Sequence, residues 1–141
     1  MFDSNLKLSG RVSIALNGVI VEEIENLVVT AGKGYVASRI KDATATAMSH
    51  MAVGTNSTAA AAGDTALGAE AGRVALTSTS VSGAIVTYVA TFAAGTGTGS
   101  LTEAAILNAS SSGTMLARTV FSTISKSAND SMTVTWQVTA S

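Results

Sequence analysis

The sequence predicts an all-β domain: an antiparallel β-sandwich or jelly-roll-like barrel of about eight strands, with one short helix near residues 31–41. Three observations predict it. Apolar and polar residues alternate with period two through several segments, the pattern of a half-buried strand. Turn-forming residues recur between those segments, as in sandwiches and small barrels. The opposite strand faces are rich in Thr and Ser, and threonine suits a pleated surface and covers it without charge.

The elements follow in chain order. Leu6, Leu8, Val12, Ile14 and Leu16 share one parity, and Lys7, Arg11 and Ser13 the other, so this stretch is a strand with one buried face. Gly10 within it marks a bulge or bend. Asn17-Gly18 then separates it from Val19, Ile20 and Val21, and an Asn-Gly pair between two such runs is a strong hairpin signal because both positions need positive φ. Thr30 is the expected N-cap of the helix over residues 31–41, in which Val36 and Ile40, four apart, share the buried face. Gly32 and Gly34 weaken this helix by up to about 1 kcal/mol each.

From Met48 the chain reads as strand again, through Met51 and Val53 to a turn at Gly54. Residues 56–64 (NSTAAAAGD) have no periodicity and read as a loop. Val74, Ala75 and Leu76 begin another strand, and Ser82-Gly83 turns the chain into residues 85–92. Residues 95–99 form a flexible connection. Two further strands, 101–108 and 115–124, flank the SSSG turn at residues 110–113. The last strand has the cleanest pattern: Met132, Val134, Trp136 and Val138 alternate with Thr133, Thr135, Gln137 and Thr139.

The 141 residues fit a single domain, 1–141, long enough to bury a core without staples. Charge is scarce. Only 12% of residues are Asp, Glu, Lys or Arg, against about 25% in an ordinary soluble domain. A monomer of this mass exposes about 6,700 Å² by the usual scaling, which leaves about 400 Å² per charged residue. Such a surface is poorly defended against association, and the expectation is that other subunits cover much of it. The absence of proline removes one common safeguard of edge strands.

Several classes of function are excluded or disfavoured. With no cysteine there is no disulfide and no thiolate metal site. A net charge of -1 provides no electrostatic footprint for a nucleic acid. No run of about 20 apolar residues is present for a spanning helix, and an aromatic content of 4% does not supply the girdles of a membrane barrel. The expectation is therefore no nucleic-acid partner and no membrane.

The residues that carry chemistry are few. His50 is the single histidine, and no G-x-S-x-G elbow accompanies it. It falls on the parity opposite Met51 and Val53 and reads as a surface or interface residue. Glu22, Glu23 and Glu25 read as a solvated face, because the spaced ligands and glycine turn of a calcium loop are missing. GTGTGS at residues 95–100 lacks the Gly-Lys-Ser/Thr ending of a phosphate loop. Trp136 and Phe121 alternate with other apolar residues and read as core. No catalytic, cofactor-binding or metal-ligating residue is expected.

NLVVTAGKGYVASRIKD followed by MSHMAVGT resembles a module of phage tail-fibre and other virion proteins, in which a helix start "N-L-V-T-x-x-G" precedes a strand ending in "A-x-G-T-G". The resemblance continues through DTALGAEAGRVALTST and the segment from VTYVATF to TWQVT, and so covers residues 26–139. It implies a tailed-phage structural β-domain without catalytic residues. The expected role is capsid cement (decoration), in which the domain packs on capsid subunits on the particle exterior and reinforces the shell. The alternative is a tail fibre, adaptor or baseplate-associated structural protein. A carbohydrate-binding β-sandwich, using Tyr35 or Tyr88, is the third reading. The expected partners are the major capsid protein or tail structural proteins. A second expected partner is the chain itself as a homo-oligomer, with a trimer the first expectation. Residues 1–8 are the candidate interface arm, through the apolar Phe2, Leu6 and Leu8.

Overall fold

The computed structural model describes residues 6–141. Ten strands and one helix follow in the order β1 (Leu8–Leu16), β2 (Val19–Glu25), β3 (Leu27–Val28), α1 (Thr30–Lys41), β4 (His50–Gly54), β5 (Glu70–Ala75), β6 (Ser78–Ser82), β7 (Ile85–Phe92), β8 (Gly99–Leu107), β9 (Met115–Lys126) and β10 (Met132–Ala140). They form two five-stranded sheets, ordered β2-β1-β10-β7-β6 and β3-β9-β8-β4-β5. Every strand pair is antiparallel. The architecture is the sandwich of the two expected alternatives.

Alternation builds the core as expected. Val12 and Ile14 of β1, Met132, Val134 and Trp136 of β10, and Ala90 and Phe92 of β7 point inward from the first sheet. Met51, Val53, Leu101, Ala104, Ile106, Ala117, Phe121 and Ile124 meet them from the second. Trp136, the one tryptophan, is fully buried and donates its indole N–H to Asn26 Oδ1 at 3.1 Å. Asn26 reaches it across Gly10: a Cβ there would overlap the Asn26 side chain. The first hairpin forms at Asn17 (φ 50°) and Gly18 (φ 83°), both left-handed as a two-residue turn requires.

The described residues form ten strands where about eight were expected. The run begun at Val74 belongs to two strands, because the chain leaves the second sheet after Ala75 and joins the edge of the first at Ser78. The two-residue β3 is the other addition. It sits on the edge beside Arg118 and Ala117.

The helix also differs from expectation. Thr30 is its first residue rather than its cap, and Val29 holds the cap position without a side-chain bond. Backbone partners replace the missing cap, with Thr30 N–H donating to Ala62 O at 2.8 Å and Val29 N–H to Leu116 O at 3.2 Å. The close contact is at the first turn, where Gly32 is buried against the Leu116 carbonyl and a Cβ would overlap it. The last turn stands clear of the sheets. Val36 packs partly against the core while Ile40 is 75% exposed, so the two do not share a buried face.

A second, smaller apolar cluster lies on the outer face of the second sheet, from Val29, Ala52, Ala105, Leu107 and Met115. Ala31 and Leu67 pack against it, so the helix start and residues 55–69 form a partial third layer.

Candidate interaction surface

Beneath that third layer lies the most elaborate polar arrangement of the molecule. Glu103 of β8 is fully buried and Arg118 of β9 is 3% exposed, with Arg118 Nη2 3.0 Å from Glu103 Oε1. Arg118 Nη1 also reaches Asp64 Oδ2 at 3.1 Å. The Glu103 carboxylate accepts backbone N–H bonds from Asn56 (3.0 Å), Gly68 (2.9 Å) and Ala69 (2.9 Å). Burial works against its ionisation, but those three amides and the Arg118 guanidinium outweigh it and hold its pKa below the ordinary value. Both ends of the 55–69 segment are thus tied to one carboxylate. Its nearby donors are engaged with this carboxylate, and the arrangement fastens that segment to the sheet.

Two other cations serve the fold in the same way. Arg73 is paired with Glu70 at 2.7 Å and donates to the carbonyls of Ala109 and Ser112, which holds the β8–β9 turn against β5. Lys126, 1% exposed, donates to Ala93 O at 3.0 Å and anchors the glycine-rich connection of residues 95–99. A lone acid in LTEAAIL and a lone base in MLARTV, either side of one turn, were the available sequence signals for the first pair.

His50 is half-buried, with Nδ1 2.7 Å from Ser49 Oγ. Glu23 pairs with Arg11 on the surface at 3.1 Å. Among the described residues no group of three or more His, Asp or Glu side chains is placed to hold a metal ion. No described helix is long and apolar enough to cross a membrane.

Of the arm residues, Phe2 lies outside the described residues. Leu6 is 66% exposed. Leu8 is different: it belongs to β1, is half-buried and packs against the core. Lys7 is already joined to the chain's other end, its N–H donating to Ser141 O (2.6 Å) and its carbonyl accepting from Ser141 N–H (2.9 Å). Leu8 is therefore part of the sheet, and Lys7, just before it, is held by Ser141. Leu6 and Leu8 do line one hollow with Lys7, Lys33 and Val36.

Tyr35 and Tyr88 come together with Arg39 in an apolar groove of about 340 Å³ between α1 and the first sheet, also lined by Leu8, Val86 and Val138. Neither ring stands free. The Tyr35 hydroxyl accepts the Met48 N–H at 3.3 Å, and Tyr88 is 8% exposed, with burial pushing its phenol up to about 12.

Leu6 apart, the large apolar residues that stand free were not read as exposed from the sequence. Val19, Ile20 and Val21 on edge strand β2 are 66%, 60% and 46% exposed, and Val81 on the opposite edge strand β6 is 72% exposed. Together with Ile40 they give the surface its apolar character. No family model, curated protein or solved structure matches this chain.

Proposed function

We propose that this chain is a structural subunit of a tailed-phage particle, packing on capsid subunits as a cement protein. The observation that carries this reading is the poverty of charge on a surface that also displays large apolar side chains. Eight basic and nine acidic residues are few to begin with, and Glu103, Arg118 and Lys126 are withdrawn from solvent altogether. Val19, Ile20, Val21, Ile40 and Val81 remain outside. Burying apolar area is worth roughly 25 cal/mol per Å², and a shell repeats each contact many times, so modest individual patches add up to reinforcement. The resemblance of residues 26–139 to virion modules supports the same reading.

The test is the number of copies of this chain in purified particles, by quantitative mass analysis. Hundreds of copies support cementing of the capsid lattice. A few to a few dozen shift the assignment to a tail adaptor or fibre component, and absence from particles overturns both.

A further inference from the structure

The sandwich has four sheet edges, and three carry devices that discourage further pairing. Strand β2 bears Glu22, Glu23 and Glu25. Strand β3 is two residues long and runs straight into the helix. Strand β5 carries Glu70 and Arg73, and its register with β4 is broken by an irregularity at Val53/Gly54. Strand β6, STSVS, has none of these: no charge, no glycine, no proline, and all five residues exposed.

Strand direction narrows what can pair there. Five antiparallel strands place the two edges of the first sheet, β2 and β6, in the same direction. A head-to-tail ring of copies would therefore join β6 to β2 in parallel, the less stable pairing. A two-fold axis instead joins like edges antiparallel and closes the assembly. Joining β2 to β2 would bring six carboxylates together, whereas joining β6 to β6 brings none.

We infer that β6 is a self-association edge, at which a second copy of this chain pairs antiparallel through its own β6 and continues the first sheet across a two-fold axis. Centred on Ser80, the pairing sets Ser80 against its copy and Val81 against the second copy's Thr79. Val81 and Thr79 pair with Val86 and Tyr88 of β7 and so point to the inner side of the sheet. There they border the hollow lined by Tyr35, Arg39, Ala47 and Met48. The pairing thus covers the 72% exposed Val81. Backbone bonds supply the attraction, as in strand addition generally.

Sedimentation equilibrium of the full chain, free of any particle, tests this. The expected mass rises with concentration from 14.0 kDa toward twice that value. Ser80→Lys sets two like charges directly opposite each other and weakens association about tenfold or more. Val19→Lys, on the other edge, leaves it unchanged. The chain has no cysteine of its own, so Ser80→Cys gives a second readout: an oxidised, disulfide-linked dimer that Val19→Cys does not form. A mass fixed at 14.0 kDa with no Ser80→Cys cross-link overturns the inference. So does association that survives Ser80→Lys but is lost in Val19→Lys. Self-association without presence on particles keeps the β6 pairing and removes the virion reading, so the two fail separately.

Discussion

The guanidinium of Arg118 and the carboxylate of Glu103 meet at 3.0 Å in the second sheet, with both residues almost wholly withdrawn from solvent. Truncating or neutralising one member of such a pair leaves the other charged and unpaired, which is the expensive event. Here the carboxylate has a second duty, because its two oxygens between them take three backbone amides from the ends of residues 55–69.

Glu103→Gln is therefore expected to be costly despite its conserved shape. Both carboxylate oxygens accept bonds, so a carboxamide must turn an NH₂ toward at least one donor. A loss of about 3 kcal/mol is expected from denaturant unfolding. Amide exchange at Asn56, Gly68 and Ala69 should accelerate well beyond that at Ala90 or Val134. Uniform acceleration across the domain would deny the local fastening.

The same carboxylate sets an acid limit. Its folded pKa lies below the value of 4.5 expected for an unperturbed glutamate. A lowered folded value means that the stabilisation is complete above the unfolded pKa and is lost as pH falls through the folded one. Thermal midpoints of the wild type should thus fall as pH drops below about 4.5, while those of Glu103→Gln fall less. The gap between the two proteins should close at low pH. A gap that persists there would assign the stabilisation to shape rather than charge.

Gly10→Ala should disturb the tryptophan. The added methyl overlaps the Asn26 side chain, whose Oδ1 holds the Trp136 indole N–H. Displacing it orphans a buried donor, at a cost of about 1–3 kcal/mol. With one tryptophan in the chain, the emission spectrum reports the change without ambiguity. An unshifted spectrum with unchanged stability would contradict this packing.

The two helix glycines should respond in opposite directions. Gly34 has open space around its would-be Cβ, so Gly34→Ala should stabilise by about 1 kcal/mol. Gly32→Ala should destabilise, because its methyl meets the rigid Leu116 carbonyl. Chemical unfolding of the two variants checks the difference in sign.

That contrast also marks how far the sequence could be read. Period-two alternation identified β1 and β10, and Asn17-Gly18 identified the first hairpin, because those signals are local and depend on backbone geometry alone. Gly32 and Gly34 looked equivalent because helix propensity ignores what lies across the interface. The helix face was misjudged for a related reason: Val36 and Ile40 have helical spacing, but α1 touches the sheet closely only at its first turn. The division of β5 from β6 was missed because Leu76 and Thr77 carry no turn residue, and a crossing between sheets needs none. Glu103 and Arg118 sit fifteen positions apart, and only the strand register brings them together. Leu6 shares the parity of the buried face of β1, yet it lies before the strand begins and is 66% exposed. Val81 gave no signal, since an edge position is a property of topology rather than of sequence.

Lys7 and Ser141 exchange backbone hydrogen bonds. Entry to and exit from the described domain therefore share one corner, beside the groove lined by Leu8 and Ala140. Residues 7 and 141 thus leave the described domain side by side. Bridging the two sides with a short linker and reopening the chain at the exposed Gly83 turn would yield a circular permutant that keeps every strand pairing of the sandwich.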